Sequence, residues 1–140
     1  MSDQELKKLR DEIDRLDKEM HLLLNKRATC AQQVAKVKEA DGSGDAQYYR
    51  PEREAQVLRR VMERNDGPLA NEDVARLFRE IMSTCLALEK PMDVAYLGPE
   101  GTFTQAAALK HFGHAVKTVS MVAIDEVFRE VASGAINYGV

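Results

Sequence analysis

Two cysteines in 140 residues, no long apolar run and no block of like charge already exclude several classes of protein. Cys30 and Cys85 are far apart and sit in helical apolar patterns, which makes them core thiols rather than a disulfide or a metal site. No stretch approaches the roughly 18 consecutive apolar residues of a membrane span, and the opening MSDQELKKLRDEID has no apolar signal segment. The expected location is the cytoplasm, with no membrane partner. The 20 basic and 23 acidic residues interleave to a formal charge of −3, with no run of about five like charges. Nucleic acid is not an expected partner either, because tracking phosphates needs a basic face. What is present, 44% apolar residues, supplies one core with room for a second small unit.

Residues 1–90 show no strand-like alternation. Leu6, Leu9, Ile13, Leu16, Met20, Leu23, Arg27, Cys30, Val34 and Val37 follow at alternating steps of three and four, one stripe of a long helix. Ser2 with Glu5 forms a capping-box start, and the run Asp41-Gly42-Ser43-Gly44-Asp45 a stop. The helix therefore runs from about Asp3 to about Glu39 and is about 54 Å long, against a radius of gyration near 12 Å for a compact domain of about 90 residues. A second helix starts at Pro51, carries a stripe through Ala55, Leu58 and Val61 or Met62, and ends at Asn65-Asp66-Gly67-Pro68. A third is capped by Asn71, buries Val74, Leu77, Phe78, Ile81, Met82, Cys85 and Leu86, and ends at Lys90-Pro91. Two short helices cover only part of the first. The leftover stripe calls for a second copy of itself, and so for a homodimer.

Arg27 is the exception in that stripe. Two readings stand side by side: the guanidinium snorkels to the surface or pairs with a carboxylate across an interface, or it serves a ligand. Lys38, eleven residues on, returns to within about 20° of the same face, about 16 Å along the axis. Two long cationic side chains can hold a small dianion between them. Arg10, seventeen residues before Arg27, is about 25 Å away and reaches such a ligand only from an antiparallel partner helix.

The spacing Leu9-Arg10-x-x-Ile13-x-x-Leu16-Asp17, then Lys26-Arg27, Lys36-Val37-Lys38 and Arg53-Glu54, resembles the all-helical type of chorismate mutase, over nearly all of residues 5–90. The resemblance implies an all-α fold, a three-helix intertwined homodimer, in which each site draws one arginine from the partner and converts chorismate to prephenate by a Claisen rearrangement. Carried over position by position, Arg10 of one chain and Arg27 of the other clamp the substrate carboxylates. Lys38 reaches a carboxylate and the ether oxygen, and Glu54, next to Arg53, accepts the ring hydroxyl. Such a reaction implies no metal and no cofactor. It needs the substrate held in its reactive shape while charge on the ether oxygen is stabilised. Arginine forks suit carboxylates. Taken alone, Glu54 also reads as a first-turn acid favoured by the helix dipole.

Three positions depart from the commonest family pattern. Arg50 stands where an acid often occurs near the substrate, and Cys85 where a small hydroxyl residue occurs. Glu89 aligns with a glutamine that in many members donates to the ether oxygen. An ionised carboxylate cannot donate, so Glu89 helps only when protonated, a state that burial favours and Lys38 opposes. Its other reading is a solvated residue at a helix end beside Lys90.

Beyond Pro91 charge thins and strand-like segments appear. Val94–Leu97 reads as a buried strand, 98–101 as a turn, Thr102–Phe112 as a helix capped by Thr102 with Gln105, Val116–Val119 as a strand, Ile124–Ala132 as a helix and Ile136–Val140 as the start of a third strand. The run Val94-Ala95-Tyr96-Leu97-Gly98-Pro99-Glu100-Gly101-Thr102-Phe103-Thr104 resembles the opening of a prephenate dehydratase domain, which in bifunctional proteins of phenylalanine biosynthesis follows a chorismate mutase domain. The expected division is a mutase domain over 1–90 and an incomplete α/β dehydratase fragment over 91–140. The Thr-Arg-aromatic motif used by that family does not occur, so dehydratase activity is not expected of this stretch. The glycine-bearing turn before the helix offers N–H groups to an anion, a weak signal by itself. The incomplete sheet is expected to be poorly ordered, collapsed on the helices or prone to association. A nonenzymatic dimerisation module and a regulatory fragment of a dehydratase remain as alternatives to the enzyme.

Overall fold

A computed structural model describes residues 2–41 and 50–140. Three helices, α1 (Asp3–Ala40), α2 (Pro51–Arg64) and α3 (Asn71–Glu89), come first. They are followed by β1 (Asp93–Leu97), α4 (Phe103–Phe112), β2 (Lys117–Met121), α5 (Ile124–Ala132) and β3 (Tyr138–Gly139). The chain is thus a helical unit followed by a small α/β unit.

The capping box at Ser2 forms: the Glu5 N–H donates to the Ser2 hydroxyl at 3.2 Å, and the Glu5 carboxylate accepts the Ser2 N–H at 2.8 Å. α1 then continues for 38 residues, about 57 Å. Asp41 closes it, donating its N–H to the Val37 carbonyl; the rest of the expected stop, 42–45, lies outside the described residues.

α3 packs on both α1 and α2. At its start the expected cap is displaced: Ala70 is the cap residue and Asn71 the first helical one. The Asn71 carboxamide is engaged by Asn65, whose Nδ2 donates to Asn71 Oδ1 at 2.7 Å and to the Leu69 carbonyl at 2.8 Å, so it is drawn away from the N–H groups of its own helix. Of the two alternatives on α2, Val61 is buried and Met62 exposed. Leu77, expected inside, is half exposed, while Ala75 and Ser83 are buried. The buried arc of α3 is shifted because a third neighbour, the α/β unit, covers the Ser83 side.

The C-terminal part of α1 also turns a different residue inward. Ala35 is buried, whereas Val34 and Val37 are exposed. Further up, Leu9, Ile13 (55% exposed), Leu16, Met20 and Leu23 (62%) have no cover from the described residues of their own chain.

In the α/β unit three parallel strands lie in the order β2-β1-β3. Successive residues of β1 point to opposite faces. Val94 joins Met92, Ala108 and Phe112 under α4, and Ala95 joins Val127 and Ile136 under α5. The unit has two clusters of its own, and the first of them also packs against Leu86 of α3. Its strands are displaced by a residue or more from their expected limits: β2 extends to Met121, and β3 is confined to Tyr138–Gly139. The Thr102 cap also takes another form. The Thr102 hydroxyl donates to the Leu97 carbonyl, and only Gln105 acts at the helix start, through Oε1 accepting the Gly101 N–H at 2.6 Å.

Candidate active site

A cavity of about 390 Å³ opens between α1, α2 and α3. Each helix contributes for a reason legible in its local structure. α1 is continuous past Arg27, so Arg27 and Lys38 remain in phase on one face, with Ala31 between them as a low floor. α2 begins at Pro51, which places Arg50, Arg53 and Glu54 at the cavity end of that helix. α3 brings Met82, Cys85, Leu86 and Glu89 along one side at steps of three and four. Every candidate residue except Arg10 therefore meets in one place.

Arg10 does not. It lies on the uncovered part of α1, about 25 Å from Arg27 along the axis. Arg27 and Lys38 are half buried, and Arg50 is held at the rim by its Nε donating to Glu52 Oε1 at 2.8 Å.

The two carboxylates inside are set apart from surface acids. Burial pushes the Glu89 carboxyl above its ordinary range, against the pull of Lys38 and then Arg27. Burial likewise raises Glu54, with His111 and Arg79 drawing it back. Glu89 is thus half buried beside two cations, and not a solvated helix end. Four cations around one small volume suit a dianionic ligand, and a carboxyl among them donates a hydrogen bond only in its protonated form.

The cysteine expectation needs correction at one position. Cys85 is buried, but Cys30 is exposed at the cavity edge. Pattern reading placed Val34, Met82 and Leu86 in apolar stripes and did not name Val57, whereas all four line the cavity. Their periodicity is that of core residues, and nothing in the pattern separates a residue facing a cavity from one facing a neighbouring helix. The glycine turn after β1 presents less to an anion than its composition suggests: the Gly98 N–H donates to the Met121 carbonyl at 2.8 Å and the Gly101 N–H to Gln105. Among the described residues, no group of three or more His, Cys, Asp or Glu is placed to hold a metal, and no helix is long and apolar enough to cross a membrane.

Residues 9–90 match the family model of chorismate mutase type II. The chain belongs to that family. Residues 94–140 of this chorismate mutase family member match the model of prephenate dehydratase. A bifunctional chorismate mutase/prephenate dehydratase of Pseudomonas aeruginosa is 66% identical over 143 residues, covering 100% of this chain and 39% of that protein. One of Neisseria gonorrhoeae is 51% identical, covering 92% of this chain and 34% of that protein. The chain therefore spans about two fifths or less of the length of these curated relatives. A chorismate mutase (form II) structure from Thermus thermophilus aligns with a TM-score of 0.58 at 31% identity, over 61% of this chain and 94% of that one.

Proposed function

We propose that this chain catalyses the rearrangement of chorismate to prephenate in aromatic amino acid biosynthesis, and that a longer protein containing it also dehydrates prephenate to phenylpyruvate. The observation that carries the mutase reading is the convergence of Arg27, Lys38, Arg53, Glu54 and Glu89 on one cavity. In this reading Arg27 and the partner's Arg10 each fork one substrate carboxylate. Lys38 bridges a carboxylate and the ether oxygen, Glu54 accepts the ring hydroxyl, and a protonated Glu89 donates to the ether oxygen. Arg50 and Cys85 shape the rim and the wall. The substrate is confined to its reactive conformer, and charge growing on the ether oxygen meets donors already in place. No nucleophile is required, and neither a metal nor a cofactor enters the scheme.

The reading includes a homodimer. The uncovered stripe from Leu9 to Leu23 is apolar surface that an antiparallel copy of α1 would bury, and such a copy delivers Arg10 to the second site. The free thiols at Cys30 and Cys85 fit a reducing cytoplasm. Loss of chorismate absorbance in the presence of the purified chain tests the activity. Turnover that disappears in Arg27→Ala, with the helical dimer intact by sedimentation and circular dichroism, supports the site. No turnover by the parent chain favours a dimerisation module or a regulatory fragment.

A further inference from the structure

The α/β unit rests on α3 beside the cavity. Gly113, at the end of α4, approaches so closely that an added Cβ would lie 2.3 Å from the Ser83 Cβ and 3.5 Å from the Arg79 carbonyl oxygen. The next residue, His114, donates its N–H to one oxygen of Glu80 at 3.0 Å and places its ring Nδ1 2.7 Å from the other. Glu80 and Ser83 thus face the α/β unit, while Met82, Cys85 and Glu89 face the cavity. Around the helix, Leu86 lies about 60° from Ser83 on one side and about 60° from Glu89 on the other. It stands on the border and serves both faces: half buried, it lines the cavity and packs against the cluster of Met92, Val94, Ala108 and Phe112.

That cluster is tied to the last turn of α3. The Lys90 N–H donates to the Leu86 carbonyl at 2.9 Å and closes the helix. Met92 is already buried in the cluster, its carbonyl accepting the Lys117 N–H of β2 at 3.0 Å. Phe112, the last residue of α4, has its ring centroid 5.4 Å from that of Tyr138 in β3. The four cluster residues themselves lie outside the cavity lining. In a close-packed interior a side chain wedged between two such neighbours follows a change in either one.

Resting on the mutase reading above, we propose that the Met92, Val94, Ala108 and Phe112 cluster is a positioning element for the mutase site, acting through Leu86, whose side chain it holds in the cavity wall against the carbon ring of the substrate. The α/β unit then has a task in the first reaction, distinct from any chemistry of its own. Leu86 has no group to offer the charge that grows on the ether oxygen. Its contact is the same in the bound substrate and in the transition state, so the benefit falls on KM and not on kcat.

The test uses the full chain and steady-state chorismate turnover. Phe112→Leu loosens the cluster without touching the cavity lining, Leu86→Ala removes the relay, and the double variant combines them. Val127→Ala loosens the other cluster, under α5, as a control for general loosening. Phe112→Leu is expected to raise KM about two- to fivefold with kcat little changed, and to leave KM where it was in the Leu86→Ala background. Val127→Ala keeps the parental KM. Unfolding temperature shows which variants fold; Met92→Leu, which keeps the volume of the cluster and changes its shape, takes the place of Phe112→Leu in the same comparison if that variant does not. An active parent whose folded cluster variant keeps its KM overturns the inference alone. So does a shift of equal size with and without Leu86, or one matched by Val127→Ala. A parent chain that turns over no chorismate overturns the mutase reading, and the inference with it.

Discussion

Glu89 is where burial and charge oppose each other. Its carboxyl is raised by desolvation, with Lys38 and Arg27 pulling the other way, and the proposed role requires the proton to stay. The sign follows directly: the active form is the protonated acid, so kcat is full below the Glu89 pKa of the substrate complex and falls as pH rises through it. Glu89→Gln, whose amide donates at every pH, should flatten the profile between about pH 5 and 8. A flat profile in the parent, with chemistry limiting the rate, would remove Glu89 from the mechanism. Arg27 belongs to the same scale. Half buried in the cavity wall, its truncation should lower kcat/KM by about a hundredfold or more, the cost of leaving a substrate carboxylate without its fork. Dimer assembly measured in parallel separates a site residue from a structural one.

At the scale of elements, the seat of α4 on α3 depends on a residue without a side chain. Gly113 has φ +82 and ψ 172, a region close to glycine-only, and an added methyl would also overlap Ser83. Gly113→Ala should therefore cost at least about 2 kcal/mol of unfolding free energy in a urea titration, from strain plus overlap. A stability loss within about 0.5 kcal/mol would mean that the α4–α3 contact carries little weight. Ser83 at that contact has a buried hydroxyl with no hydrogen-bond partner among the described residues, so Ser83→Ala should be neutral or slightly stabilising by the same measurement, about 1 kcal/mol at most.

For the whole molecule, the decisive question is whether one site uses two chains. Arg10→Ala and Arg27→Ala homodimers should both be inactive. In a heterodimer of the two, one site receives an intact Arg10 and Arg27 and the other receives neither. Random reassociation of equal amounts should recover about one quarter of the parental activity, because half the dimers are mixed and each has one good site. No recovery after verified subunit exchange would place Arg10 outside the site. Ile13→Glu, on the most regular part of the uncovered stripe, should shift the sedimentation coefficient to that of a monomer and abolish turnover together.

The length of α1, its capped start, the phase of Arg27 with Lys38 and the βαβ order after Pro91 were legible in the sequence because each follows from local periodicity, capping chemistry or the steric rules of proline. The convergence of Arg50, Arg53 and Glu54 with Glu89 came from family spacing, since no local rule brings α2 and the end of α3 together. Tertiary structure alone decided the rest. Ala70 became the cap of α3 while the Asn71 carboxamide was taken up by Asn65, Ala35 rather than Val34 was buried on α1, and Gly113 came to rest on Ser83. In each case the choice depends on a neighbour distant in sequence or on the space left between packed elements. A pattern of apolar steps says which face of a helix is buried, but not what covers it.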